Sequence, residues 1–252
     1  MDVEARPDGT CIARDRQGAE TVLTTGHGLL GDSDPGHDVV PVHDAVRKAM
    51  ERHGAYRIAR SDNPYHELLP AVLSQRVTAV EALAQWREIC VRWGVAVDAS
   101  GVTLHTPPDP DTFVRLPYTE LHLLGIDKRR ADALRNVARH ADRLVSGWRI
   151  GESPSTRTAS LMLIPGIGRW TAAVAGYVAF CDPDALEVGD FHAKNTVVHA
   201  LTGRHRGTDE EMEELLAPYT GQRERVLRWL AMDGWHAPAH GPRRPNVSIA
   251  RM

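Results

Sequence analysis

The chain has 252 residues, 42% of them hydrophobic and 25% charged, with a formal net charge of −3. That length fills one large or two small domains, and no stretch reaches the run of roughly 20 apolar residues that a membrane helix requires. Cys11, Cys90 and Cys181 are too few and too scattered for a disulfide framework or a four-cysteine cluster, and residues 1–16 hold no apolar signal core, so a cytoplasmic protein is expected. The acidic balance, taken alone, points away from a nucleic-acid partner.

Along the chain, residues 1–36 are rich in Gly, Asp and Thr and lack a helical period; the pieces 10–14 and 20–24 are expected to pair as short strands. A short helix is predicted over 46–53 and a long one over 65–93. In the latter Leu69, Val72, Leu73, Val80, Leu83, Trp86 and Cys90 recur at spacings that suit one buried face. Four prolines make 103–117 a connector. Further helices are predicted over 118–124, ending at Gly125, and over 128–145, with Ala131, Leu134, Ala138, Ala141 and Val145 as the apolar stripe. Helical spacing then recurs over 156–163, 169–180, 191–201, 209–216 and 223–232. The tail from His236, with Pro238, Pro242 and Pro245, is expected to be extended. The sum is a mainly α protein: an irregular or β-like segment over 1–36, a helical domain over 37–235 and a tail over 236–252.

The most informative string is Ile164-Pro165-Gly166-Ile167-Gly168. Proline stops the preceding helix, Gly166 and Gly168 permit positive φ and close backbone approach, and Ile167 pins the turn to the core. The next helix starts with unpaired N–H groups, a site made of backbone dipoles that suits a phosphate. A hairpin of this kind binds without basic side chains and positions without reading sequence. Taken alone, the string is also an ordinary helix connector. Downstream, Asp190 stands where a helix begins. It reads as an N-cap and, compatibly, as a catalytic carboxylate held rigidly by capping.

Leu163-Ile164-Pro165-Gly166-Ile167-Gly168-Arg169-Trp170-Thr171-Ala172, followed by Val188-Gly189-Asp190, resembles the signature of the helix-hairpin-helix (HhH-GPD) base-excision DNA glycosylases. Within them it is most similar to the 3-methyladenine DNA glycosylase II branch. Residues 69–78, with Ser74-Gln75-Arg76, resemble that family's early helix beside the lesion pocket. Leu124-Gly125-Ile126 with Arg129-Arg130-Ala131 resembles the helix pair before the hairpin. The likeness spans residues 40–235. It implies a two-lobed helical fold with a groove between the lobes. It also implies double-stranded DNA with a damaged base as partner, a monomer, a nucleoid-associated location in the cytoplasm, no required cofactor, and a monovalent cation at the hairpin.

By the same resemblance, Asp190 stabilises an oxocarbenium-like state and activates water. Gly166, Ile167, Gly168, Arg169 and Thr171 hold DNA with Arg129 and Arg130. Among the substrate-side residues, Trp170 stacks on the charged base or packs against the hairpin; Gln75 wedges into the gap, touches the opposite strand or is the polar face of its helix; Trp229 lines the pocket or packs between helices. Bifunctional relatives carry a nucleophilic lysine where this chain has Trp170, which cannot form a Schiff base. Lysine occurs only at Lys48, Lys128 and Lys194, so the expected enzyme hydrolyses the N-glycosidic bond of alkylated purines without cutting the strand. The alternatives are a glycosylase for uracil or a mismatched base, and a non-catalytic DNA-binding protein.

The remaining signals have two readings each. His192 touches DNA or is a surface histidine. The run Lys128, Arg129, Arg130, Arg135, Arg139 and Arg143 contacts phosphates or is a solvated face paired with Asp132 and Asp142. The acidic run over 209–214 is expected to lie away from DNA and cap its own helix. No cysteine follows Cys181, so no iron–sulfur cluster is expected, and His192, His199 and His205 lack metal-ligand spacing.

Overall fold

The computed structural model describes residues 2–5, 11–14, 20–23, 28, 31–99, 102–148 and 151–236. Near the N-terminus, β1 (Asp2–Ala5), β2 (Cys11–Arg14) and β3 (Glu20–Leu23) pair antiparallel in that order, Cys11 opposite Leu23 and Arg14 opposite Glu20. The expected pair is present. β1 is additional, too short for its alternation to signal a strand. A first helix, α1 (Asp44–His53), follows.

The helix expected over 65–93 is two helices, α2 (Pro64–Leu73) and α3 (Ala79–Trp93). The Ser74 hydroxyl turns back to donate to the Pro70 carbonyl at 2.9 Å. Arg76 takes a left-handed φ of 61°. Thr78 restarts the helix by accepting the Glu81 N–H, so Thr78-Ala79-Val80-Glu81 is a capping pattern hidden inside a continuous apolar period. The break rotates α3. Leu69, Val72, Leu73 and Cys90 are buried and Trp86 packs on the core, whereas Val80 and Leu83 are 73% and 65% exposed.

The stretch read as a connector also carries structure. β4 (Ala96–Ala99) and β5 (Val102–His105) form an antiparallel hairpin, and α4 (Pro110–Arg115) starts where Asp109 accepts the Thr112 N–H and Pro110 presets φ. Fully buried Phe113 anchors it. After α5 (Tyr118–Leu123), the helix expected over 128–145 splits into α6 (Lys128–Arg139) and α7 (Ala141–Ser146) at His140, whose ring bonds the Asn136 carbonyl. Ala131, Leu134, Ala138 and Ala141 form the buried stripe, but past the split Val145 is 64% exposed. Then come α8 (Pro154–Ser160), a 3-10 turn (Leu161–Leu163), α9 (Arg169–Ala179), α10 (Phe191–Thr202), α11 (Asp209–Leu216) and α12 (Arg223–Met232), close to their expected places. The tail past His236 lies outside the described residues.

Two cores make two lobes. One gathers Leu68, Leu69, Phe113, Leu121, Leu134, Ile164, Ile167 and Phe180 around α2, which packs on both α9 and α6. The other gathers Val46, Val197, Met212, Leu216, Val226, Trp229 and Leu230, drawing α1 against α10 and α12, with α11 packed on α10. Ile58, Ala173, Tyr177, Cys181 and Ala185 form a smaller cluster. Among the described residues no helix is long and apolar enough to cross a membrane.

Candidate nucleic-acid interface and catalytic cleft

The hairpin is a tight turn locked from several sides. The Ile167 N–H donates to the Ile164 carbonyl at 3.1 Å, with Pro165 and Gly166 at the centre. Gly166 has φ 93°, as the third position of a type II turn demands. A Cβ there would also lie 2.8 Å from that of Ala133 on α6. Ile164 and Ile167 are buried, so the turn hangs from the first core. Asn136 donates to the Pro165 carbonyl, and the Gln75 amide donates to both the Gly166 carbonyl (3.1 Å) and Thr171 Oγ1 (2.9 Å). Among the described residues the Pro165 carbonyl accepts from Asn136 and the Gly166 carbonyl from Gln75.

Gly168 is the N-cap of α9 and has no side chain to cap it. The first intrahelical bond of α9 runs from Ala172 N–H to the Gly168 carbonyl, which leaves the N–H groups of Arg169, Trp170 and Thr171 without an intrahelical acceptor. A second hairpin shows what a capped version looks like. Between α5 and α6, Gly125 has φ 79° and Ile126 is fully buried, but Asp127 follows where the other hairpin has Gly168. Its Oδ1 accepts the N–H groups of Arg129 (2.9 Å) and Arg130 (3.1 Å). The protein's own carboxylate thus fills the place an anion would take.

Asp190 faces the uncapped hairpin across a cleft of about 1020 Å³ lined by residues 74–79, Arg129, Gly166, Gly168, Arg169, Trp170, Thr171 and 188–192. The walls belong to both lobes. Asp190 caps α10 through Oδ1 alone, which accepts the N–H groups of His192 (2.6 Å) and Ala193 (2.8 Å). Among the described residues Oδ2 has no hydrogen-bond partner, so capping occupies only one of the two carboxylate oxygens. The loop that carries Asp190 is fastened to α12. Asp184 takes Arg223 through both carboxylate oxygens and also accepts the Gly221 and Arg223 N–H groups. Glu187 pairs with Arg228, which bridges to fully buried Glu224. Burial pushes the Glu187 carboxyl up and that of Glu224 well above the usual range.

Several expected site residues stand elsewhere or do something else. Trp229 is fully buried in the second core, its ring edge-on to His37 at 4.6 Å, and cannot meet a base. Arg130 is buried and spends its guanidinium inside the fold, on Asp127, the Leu73 and Gly125 carbonyls and Gln85, so it cannot meet a phosphate. Gln75 lies in the cleft, but both amide hydrogens are committed to bracing the hairpin, which leaves only its carbonyl oxygen for a ligand. Thr171 is buried with its hydroxyl taken by Gln75, so it offers its backbone N–H. Ile167 is a core anchor. Arg129, Arg169 and half-buried Trp170 remain on the cleft wall.

The acidic run is close to the hairpin rather than remote. Glu213 pairs with Arg169 at 2.6 Å, and Asp209 holds both the Gly189 N–H and Lys194 Nζ at 3.0 Å. Lys194, one turn beyond Asp190, is therefore engaged. Lys128 pairs with Asp132, and no lysine stands among the cleft-lining residues. Sequence reasoning gave no role of its own to Arg76, exposed on the cleft wall in a strained left-handed conformation, and missed Phe191, which is 57% exposed beside Asp190 under the Arg206 guanidinium. The capping pattern at Thr78 was the available signal for Arg76; for Phe191 there was none. Among the described residues no group of three or more His, Cys, Asp or Glu is arranged to hold a metal ion.

No family model matches the chain, and no curated protein matches it. Solved structures do. A 3-methyladenine DNA glycosylase from Archaeoglobus fulgidus is 19% identical, with a TM-score of 0.62 over 76% of this chain and 66% of its own length. The 3-methyladenine DNA glycosylase Mag1 of Schizosaccharomyces pombe, solved with abasic DNA, is 20% identical, with a TM-score of 0.60 over 75% of this chain and 90% of its own. An 8-oxoguanine glycosylase/lyase from Clostridium acetobutylicum is 12% identical, with a TM-score of 0.61 over 91% of this chain and 87% of its own. With its two lobes, the Pro165–Gly168 turn and Asp190 across the cleft, the chain has the fold of the helix-hairpin-helix DNA glycosylases.

Proposed function

We propose that the protein is a monofunctional DNA N-glycosylase that removes alkylated purines of the 3-methyladenine type from double-stranded DNA. The observation that carries this reading is the cleft that joins uncapped hairpin amides, an aromatic wall at Trp170 and an Asp190 oxygen that has no hydrogen-bond partner among the described residues. The hairpin amides take a phosphate and hold the backbone while the damaged nucleotide is turned out of the stack. The cleft is at the upper end of the size range for small-molecule pockets, enough for an extruded nucleotide. An N3- or N7-alkylated purine carries positive charge, so it leaves as a neutral base once the C1′–N bond breaks and needs no proton from the protein. The Trp170 ring attracts that cation by about 0.5–2 kcal/mol. Asp190 Oδ2 stabilises the oxocarbenium-like sugar and then takes the proton of the water that adds to C1′. The product is an abasic site. With Trp170 at the lyase position and Lys194 bound to Asp209, no amine attacks C1′.

The test is an excision assay on methylated genomic DNA with the released bases identified, alongside duplexes carrying uracil, a mismatch or 8-oxoguanine. Release of 3-methyladenine or 7-methylguanine, lost in Asp190→Asn, is the expected result. Release of an oxidised or deaminated base instead would move the substrate to another lesion, and a covalent adduct trapped by borohydride would end the monofunctional reading. Binding without release of any base would make the chain a DNA-binding protein.

A further inference from the structure

The carboxylate of Asp209 stands where three segments meet. It is the first residue of α11, its Oδ1 accepts the Gly189 N–H at 3.0 Å, and its Oδ2 accepts Lys194 Nζ at 3.0 Å. Gly189 immediately precedes Asp190 and has φ 96°, and a Cβ there would meet nothing within 4 Å. Open space lies where its side chain would be, and hydrogen bonds fix the peptides around it. One is the bond to Asp209. The next, from Asp190 N–H to the Glu187 carbonyl, is also 3.0 Å. Lys194 lies one turn past Asp190 on α10, so Asp209 grips the chain on both sides of Asp190. The two side chains of the ion pair are only 22% and 24% exposed, which spares them much of the screening felt by a surface pair.

On the reading that Asp190 acts at the glycosidic carbon, we propose that Asp209 is a positioning residue for it. Asp209 clamps the Gly189 peptide and Lys194 so that Asp190 Oδ2 keeps one place in the cleft. It touches neither substrate nor reacting atoms. The arrangement divides the labour among carboxylates: Oδ1 of Asp190 fixes its own side chain on α10, and Asp209 fixes the backbone from which that side chain springs. The acidic α11 is thereby part of the catalytic framework.

The experiment uses the full chain in excess over methylated duplex DNA, and reads the single-turnover rate constant and amplitude of base release together with the affinity for a duplex carrying an abasic-site analogue. Asp209→Ala is expected to slow the rate constant about 10- to 100-fold, with affinity and amplitude within about two-fold of wild type, because displacement on the ångström scale carries that cost. Asp209→Asn keeps an oxygen for the Gly189 N–H and loses the charge for Lys194; it should fall between the two, and it carries the test if the alanine variant fails to fold. Lys194→Met added to Asp209→Ala should slow release no further, since both act through one clamp. A purely structural role would lower the amplitude and leave the rate constant alone, and that result would overturn the proposal. So would an unchanged rate constant in Asp209→Ala when Asp190→Asn abolishes release. If Asp190→Asn itself releases base at the wild-type rate, the parent reading fails first, and the two failures are distinguishable.

Discussion

Glu213→Gln should tighten DNA binding. Arg169 is the first residue of α9, on the cleft wall beside the uncapped hairpin, and in the free protein its guanidinium is held by Glu213 at 2.6 Å. To meet a phosphate it must give up that partner or carry the carboxylate's charge toward DNA. The Arg169 side chain is 60% exposed and that of Glu213 32%, so the pair itself is worth only about 0–1 kcal/mol. Removing the competition should therefore raise affinity for an abasic-analogue duplex by up to about five-fold. Because the variant adds a cation available for counterion release, the plot of log affinity against log salt should steepen by up to about 0.9. Fluorescence anisotropy from about 50 to 200 mM salt spans the range in which that slope is measurable. The control is the same substitution in an Arg169→Ala background, where the gain should nearly vanish. An affinity that stays the same or falls, or an equal gain without Arg169, would refute the reasoning.

Three further predictions concern the frame. Gly166→Ala places a Cβ 2.8 Å from that of Ala133 on a backbone with φ 93°; a loss of about 1–3 kcal/mol in a denaturant titration is expected, with weaker DNA binding. Asp34→Ala leaves Arg225 buried and unpaired, since both side chains are fully buried and joined at 2.7 and 2.9 Å; about 3–5 kcal/mol should be lost. Burial raises the Asp34 carboxyl, but Arg225 and the N–H groups of Ile58 and Gly36 outweigh it and hold the group below its usual 3.8. Its stabilisation is thus present above pH 3.8 and fades as pH falls through the lower folded-state value, which an acid titration of wild type against the variant should show. Trp229→Ala should cost about 3–5 kcal/mol in stability, whereas Trp170→Ala should chiefly slow base release; equal effects on catalysis would contradict their placement.

Helix periods and the hairpin could be read from the chain because each rests on local rules: a 3.6-residue apolar repeat, a proline that stops a helix, a glycine, Gly166, that takes positive φ, although Gly168 instead keeps φ −96° as the N-cap of α9. The break between α2 and α3 was obscured because Val80 and Leu83 continue the apolar spacing across it, and only the Thr78 and Glu81 pair marks the restart. In the same way four prolines masked α4, although Asp109-Pro110 is a helix start. Among the site residues, Asp190 was legible from its place after a glycine at a helix start. The split between its two oxygens was not, because it depends on which backbone N–H groups come within reach. Arg130 and Arg129 are neighbours of the same type, and one is buried while the other is exposed on the cleft wall. A pattern of charges cannot separate them, because Gln85 and the Leu73 carbonyl arrive from other helices. For Glu213 and Asp209 the missing knowledge was likewise tertiary: how α11 is laid against the hairpin.

The Gln75 brace has a mechanical consequence. A single amide ties the end of α2 to the hairpin turn and to the first turn of α9, so the hairpin and the chain at the strained residue Arg76 are joined directly. On the proposed function, little compliance is left on the protein side of the interface, and the duplex must do the bending. The free energy of deforming the nucleic acid then becomes part of recognition. A base pair already weakened by damage yields at lower cost than an intact one, and the stiffness of the protein turns that difference into discrimination before any atom of the base is touched.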